Sequence, residues 1–254
     1  MSHNSEDTID ALVTGRAEEL VVIDRGSVRL LLFNRADKRN AMNAAMRRGY
    51  AQQLALAEAD PEVHAVIVGG AHGYFSAGVD IKERPPTPGM AMVRPHPVEA
   101  TRAMTKPVIA MIDGPCITGG LELALACTFI IASDRSSFAD THLKIGILPG
   151  WGGISLLASA IGARRAAQMQ LSGERISAEV AYKWGLTSEI VPASHILSRC
   201  LELANGMAAL DPVKRQLFVS LNRRIADERL ESALAIELVE IDRMRGFAAS
   251  ASSS

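Results

Sequence analysis

Apolar and polar positions change their period several times along the chain. Residues 21–24 and 28–33 are apolar and β-branched, with Arg25-Gly26-Ser27 between them, and predict a hairpin. Residues 41–59 hold no proline and one glycine, Gly49, and predict a helix ending before Asp60-Pro61. Residues 65–69 and 108–112 are short, wholly apolar runs suited to buried strands, and residues 129–133 make a third strand. A Gly- and Ser-rich turn covers residues 72–78, and a helix opens at Gly119 and runs to Cys127. Residues 154–171, 178–184, 196–209 and 214–244 read as helical. Strands therefore alternate with helices to about residue 190 and helices follow, which predicts an α/β core with a helical appendage. No repeat of fixed period interrupts this order.

Between residues 84 and 97 the composition changes sharply. Pro85, Pro86, Pro88, Pro95 and Pro97 all fall there, so no continuous helix or strand is expected to cross it. Two readings stand: a lid, or a surface insertion. The expected organisation is a loosely attached or disordered stretch over residues 1–18, a core over 19–192, a helical region over 193–246, and a small polar tail over 247–254.

The chain has 254 residues, with 27 Lys plus Arg against 28 Asp plus Glu and 48% hydrophobic residues. Enough apolar mass is present to fill a sizeable core. The balanced charge argues against a nucleic-acid partner bound through phosphate neutralisation. The three cysteines, Cys116, Cys127 and Cys200, are too scattered for a disulfide framework or a zinc site, which points to a reducing cytoplasm. The start of the chain is polar and acidic, unlike a signal peptide, and the apolar stretch over residues 121–132 falls short of the ~20 residues of a membrane span. No metal or redox cofactor is indicated.

Candidate chemistry concentrates over residues 117–131, where Glu122 is the one charge. A carboxylate in apolar surroundings must find partners or rise in pKa, which makes it a candidate general acid or base. The alternative is structural: with Gly119 as N-cap, Glu122 would sit at the third helical position and return to the helix's free N–H groups. Gly119 and Gly120 open that helix, and a second Gly-containing turn, Tyr74-Phe-Ser-Ala-Gly-Val-Asp-Ile-Lys82, also follows a buried strand. The two turns read either as ordinary tight turns or as an oxyanion hole built from the N–H groups of Ala77 and Gly119. Cys116 reads as a packing residue, His96 as a surface residue, and Trp151 as either a ligand contact or a packing residue at a helix entry.

Four segments in order carry a resemblance. Leu32-Phe-Asn-Arg-Ala-Asp-Lys-Arg-Asn-Ala-Met-Asn43 resembles LNRPEKRNALN, and Phe75-Ser-Ala-Gly-Val-Asp-Ile-Lys-Glu83 resembles FSAGADIKE. Lys106-Pro-Val-Ile-Ala110 with Asp113-Gly-Pro-Cys-Ile-Thr-Gly-Gly-Leu-Glu-Leu123 resembles KPVIAAVNGYALGGGCEL, and Gly146-Ile-Leu-Pro-Gly-Trp-Gly-Gly153 resembles GTIPGAGG. Over about residues 19–240 the chain thus resembles the crotonase, or enoyl-CoA hydratase/isomerase, superfamily.

The resemblance implies an α/β fold, a crotonase-like spiral of ββα units with a helical C-terminal trimerisation region, assembled as a homotrimer or a dimer of trimers. It implies an acyl-CoA thioester substrate, with coenzyme A as part of that substrate and no other cofactor. It places the oxyanion hole at Ala77 and Gly119 and the substrate contacts at Ala77, Gly78, Val79 and Asp80. Lys38, Arg39 and Lys82 become candidate partners of the CoA phosphates. Glu122 falls on the family's first catalytic glutamate, the base that activates water.

The second glutamate is replaced by His142 within Phe138-Ala-Asp-Thr-His-Leu-Lys-Ile-Gly146. That imidazole can transfer a proton near neutral pH or act as a neutral hydrogen-bonding group, with Asp140 as a candidate orienting partner. Thr118 stands where the family pattern has glycine, and Thr128 where it has aspartate, which is expected to remove a structural hydrogen bond. Hydration of a trans-2-enoyl-CoA is the leading expectation. Decarboxylation, isomerisation or C–C cleavage of a specialised acyl-CoA, or a non-catalytic acyl-CoA-binding role, are the alternatives.

Overall fold

In the computed structural model, residues 8–83 and 94–228, with 235 and 239, are described. The hairpin is present as β1 (Leu20–Arg25) and β2 (Val28–Phe33), preceded by a short helix, α1 (Ile9–Val13). Ile9 and Val13 are buried, so this helix is packed against the core. The expected helix over 41–59 starts later, as α2 (Ala44–Ala59), because the Asn43 side chain accepts from the Met46 N–H and caps it. Met42, just before the cap, instead forms a parallel bridge to Val79.

After α2 come β3 (Ala65–Gly70), α3 (Pro97–Ala103), β4 (Val108–Ile112), β5 (Pro115–Ile117), α4 (Gly119–Ala126), β6 (Phe129–Ser133) and β7 (Ser137–Ala139). Then follow α5 (Gly153–Ile161), α6 (Ala163–Ser172), β8 (Ile176–Ser177), α7 (Ala178–Trp184), β9 (Glu189–Val191), α8 (Ile196–Ala208) and α9 (Pro212–Glu228). The single helix expected over 154–171 is two, broken at Gly162, whose φ of 82° suits glycine. The proline-rich stretch ends in a helix: Pro97 is acceptable in a first turn, and the His96 ring accepts from Glu99 N–H as its cap. Residues 84–93, the helix expected beyond 228, and the tail over 247–254 lie outside the described residues.

A six-stranded sheet runs in the order β1-β2-β3-β4-β6-β9 among the described residues, antiparallel between β1 and β2 and parallel thereafter. Its inner strands β3, β4 and β6 are largely apolar on both faces because both faces are covered. Leu31, Phe33, Val66, Val68, Val108, Ala110 and Ile112 join one core with Met46, Tyr50 and Leu54 of α2 and Leu121 and Leu123 of α4. The alternate residues Leu30, Leu32, Ile67, Ile109 and Met111 join a second core with Ile196, Leu197, Cys200 and Ala204 of α8 and with Ile9 and Val13. Helix α8 therefore packs into the core layer.

A smaller sheet, β5-β7-β8, stands beside the large one. The chain passes twice from a strand of the large sheet to a strand of the small one: β4 into β5, then α4, and β6 into β7. Ser76, after β3, bridges to Cys116 of β5 and makes the same passage. This is a spiral of repeated ββα turns, and its inner edge carries Ser76–Asp80, Thr118–Glu122 and Ala139–His142. Thr128 does not leave a hydrogen bond missing: its Oγ1 accepts from Val108 N–H at 3.0 Å. Among the described residues no helix is long and apolar enough to cross a membrane.

Candidate active site

Glu122 lies on the first turn of α4, buried to 3% exposure. The N-cap of α4 is Thr118, and the Glu122 carboxylate does not fold back onto its own helix. Its Oε1 accepts instead from the backbone N–H of Trp151 at 2.8 Å and of Gly153 at 3.0 Å. The capping role is thereby set aside. A Cβ on Gly153 would come within 2.9 Å of Glu122 Cγ and Oε1 and of Pro149, so only glycine lets that backbone reach the carboxylate. Burial pushes the Glu122 pKa up to about 7, against the opposing pull of His142 and the two N–H groups, with Asp140 adding to the rise.

His142 follows β7, and its Nε2 stands 3.5 Å from Glu122 Oε2. Its Nδ1 is 2.6 Å from Asp140 Oδ1, which also accepts from the His142 backbone N–H at 3.1 Å. The other Asp140 oxygen accepts from Gln170 Nε2 of α6 at 3.0 Å. Burial would raise the Asp140 pKa, but the His142 and Gln170 hydrogen bonds and the His142 charge outweigh it and hold the carboxyl below its ordinary value. An ionised Asp140 only accepts, so Nδ1 carries the proton and Nε2 faces Glu122. For His142, burial opposes charging, yet the Asp140 hydrogen bond and the Glu122 and Asp140 charges raise its pKa above the ordinary imidazole value. Asp140, His142 and Glu122 thus form a buried line of proton-exchanging groups. Coupled this closely, they titrate as a set rather than singly.

Beside this line lies the turn after β3. The Ala77 N–H donates to the Arg39 carbonyl at 3.0 Å and so is committed within the protein. The expectation that Ala77 supplies an oxyanion donor is corrected on that ground. The N–H groups of Val79 and Gly119 make no hydrogen bond to any described residue. They lie together: a Cβ on Gly119 would approach the Val79 nitrogen at 3.4 Å, and one on Gly78 would approach the Gly119 nitrogen at 2.9 Å. Gly78 has φ 96° and allows this close packing of turn and helix. The free pair is therefore Val79 and Gly119. Sequence reasoning named Val79 as a contact but not as the donor, since its freedom depends on which neighbours take Met42 and Arg39.

Asp80 was expected to touch substrate, yet both its oxygens are engaged. Oδ2 pairs with Arg35 at 2.6 Å and Oδ1 accepts from Lys82 N–H at 3.1 Å. It holds the turn in place. Lys38, Arg39 and Lys82 are exposed around the same turn, Lys38 paired with Asp37 and the Arg39 guanidinium lying over the Tyr74 ring. His96 is buried, not on the surface, and stacks on Trp151 at 5.4 Å between ring centres. Burial, helped by Arg94, lowers its pKa to about 3, so it stays neutral. Trp151 is a packing residue whose ring borders Gly119, with Cζ3 at 3.2 Å from a Cβ built there. Cys116 is fully buried in the core, as expected of a packing residue.

Comparison with known proteins gives the same fold. The sequence profile described as Enoyl-CoA hydratase/isomerase matches residues 24–244. A 2,3-dehydroadipyl-CoA hydratase of Escherichia coli is 33% identical over 86% of this chain and 87% of its own length. A probable enoyl-CoA hydratase of Rhizobium meliloti is 32% identical over 91% of this chain and 94% of its own. Among solved structures, an enoyl-CoA hydratase from Mycobacterium avium is similar with a TM-score of 0.83 and 36% identity, covering 91% of this chain and 99% of that one. With the profile matched over most of its length and relatives above 30% identity along it, this chain belongs to the enoyl-CoA hydratase/isomerase family, the crotonase superfamily.

Proposed function

We propose that this protein hydrates a trans-2-enoyl-CoA thioester, with Glu122 and His142 moving the protons and the N–H groups of Val79 and Gly119 holding the oxyanion. One observation carries the reading: a carboxyl with a pKa near 7 and an imidazole meet at 3.5 Å beside two unengaged N–H groups. That is the set of groups an enolate reaction requires.

Glu122, ionised, takes a proton from water as the water oxygen bonds to Cβ. The electrons of the Cα–Cβ double bond move to the thioester oxygen, where the two N–H donors meet the new charge. As the enolate collapses, Cα takes a proton from His142 Nε2. The proton on Glu122 then passes to His142 and restores the starting pair. The cycle needs Glu122 ionised and His142 charged, so its rate falls in acid as the buried set takes up a proton at Glu122 and falls in alkali as His142 loses its charge.

Leu143 and Ile145, exposed at 40% and 46% on the turn after His142, offer apolar surface to an acyl chain. Lys38, Arg39 and Lys82 supply charge for the CoA phosphates around the oxyanion turn. Helix α9 carries Val213, Leu217, Phe218 and Ile225 exposed to solvent, which supports a homotrimer or a dimer of trimers closing over that face.

The test is loss of enoyl-thioester ultraviolet absorbance with trans-2-enoyl-CoA substrates of increasing chain length. Rapid loss in the native enzyme that disappears in Glu122→Gln supports hydration. Tight binding of these thioesters without any loss of absorbance overturns it and turns attention to decarboxylation, C–C cleavage or a binding role.

A further inference from the structure

We propose that Thr118 is a positioning residue: its hydroxyl latches the turn that carries Val79 to the helix that carries Gly119. The inference rests on the enolate reading above, but its geometry is independent of which enolate reaction follows.

Thr118 has φ 52° and ψ −120°, a backbone state that a β-branched residue rarely adopts and that glycine takes without strain. The family pattern quoted above has glycine at this position. A threonine held there implies a compensating role for its side chain. The Thr118 hydroxyl donates to the Ala77 carbonyl at 2.9 Å. Its backbone N–H donates to the Ala139 carbonyl at 3.0 Å, and its own carbonyl accepts from Glu122 N–H at 3.0 Å. One residue therefore ties together the three segments of the site: the oxyanion turn, the strand leading to His142, and the helix of Glu122.

The side-chain bond works beside the backbone bridge: the Gly78 carbonyl, in the same peptide as the Val79 N–H, accepts from the Met42 N–H at 2.7 Å, and the Thr118 hydroxyl fixes the peptide that precedes it. Ala77 is already held through its N–H by Arg39, and Thr118 takes its carbonyl. With both sides of that residue engaged, the peptides leading to Val79 have little freedom to turn. A Cβ on Gly78 would lie 2.3 Å from the Thr118 Oγ1, so the hydroxyl is pressed against the turn it holds. An oxyanion donor works through its direction, and loss of a single donor costs about 10²–10³ in rate. Slackening one donor should cost less, roughly tenfold.

The test compares Thr118→Val, Thr118→Ser and Thr118→Gly, with acetoacetyl-CoA as the probe. Two N–H donors on the thioester oxygen favour the enolate of that ligand, which has its own ultraviolet absorbance. Thr118→Val keeps the branched side chain but loses the latch, so the enolate signal and kcat are expected to fall roughly tenfold with KM within about twofold. Thr118→Ser keeps the hydroxyl and should retain both. Thr118→Gly removes latch and backbone strain together, so it should lose the enolate signal while its thermal midpoint holds or rises.

Full enolate signal in the Val and Gly variants overturns the proposal. So does a Gly variant that loses the signal only in step with a lower thermal midpoint, which would make Thr118 a purely structural residue. If the native protein forms the enolate but hydrates no enoyl-CoA, the hydratase reading fails and the latch is still decided by the same spectra.

Discussion

The two sheets formed by the described residues differ in how they are held. The inner strands of the large sheet, β2, β3, β4 and β6, are buried on both faces, and their residues alternate between two apolar cores. The small sheet, β5-β7-β8, has strands of two or three residues, and its strand ends feed Thr118 and Gly119 on one side and Asp140 and His142 on the other. A wide apolar surface gives the first its strength without help from any single polar group. The second places polar groups by individual hydrogen bonds, such as those that hold Thr118 and His142. The contrast teaches that the site is held by a scaffold but not made by it.

The largest expected effect tests the small-sheet side. Glu122→Gln keeps the shape and the acceptor toward Trp151 and Gly153 but removes the base, so hydration should fall by about 10²–10⁴. Stability should move the other way. The folded pKa of Glu122 is raised from 4.5 to about 7. Its stabilising share is therefore full below the unfolded value and is lost as pH rises through the folded one. Above about pH 7 the glutamine variant should be as stable as the native chain or more so, read as thermal midpoints across pH. A variant less stable at every pH would show that Glu122 is structural.

Ile109→Ala probes the other side. This residue is fully buried in the second core, and its loss should cost about 2–5 kcal/mol of unfolding free energy, measured in denaturant, with kcat at moderate temperature within about twofold. A large fall in kcat in the folded variant would break the division between the sheets. Gly153→Ala should cost about 10² in kcat, because its Cβ would displace the Glu122 carboxylate, which Gly153 also binds.

The smallest and most diagnostic change is Asp140→Asn. Asp140 is one of the groups that raise the His142 pKa, so removing its charge lets that pKa fall. The alkaline limb of the pH–rate profile should move to lower pH, with roughly a tenfold loss at the optimum. An unmoved alkaline limb would take His142 out of the proton path.

The strands β1 to β4 and β6 were legible because continuous apolar runs such as Ala65–Gly70 and Val108–Ile112 suit strands buried on both faces. β5, β7, β8 and β9 were not, since two or three residues show no period. α3 was hidden by its prolines, although Pro97 begins it. Glu122 stood out as a lone charge in an apolar helix, and His142 stood out once the family pattern gave it a place.

The sequence by itself thus determined the architecture, the family, and which residues are candidates for proton exchange. Only the tertiary structure decided how they meet. It showed that Glu122 turns to Trp151 and Gly153 and not to its own helix, and that Asp140 orients His142 with support from Gln170 thirty positions away. It also moved the free donor from Ala77 to Val79. The physical reason is the same in each case. Burial is written locally, in runs of apolar residues, whereas a hydrogen bond between distant segments exists only after the chain has folded and its neighbours have taken their own partners.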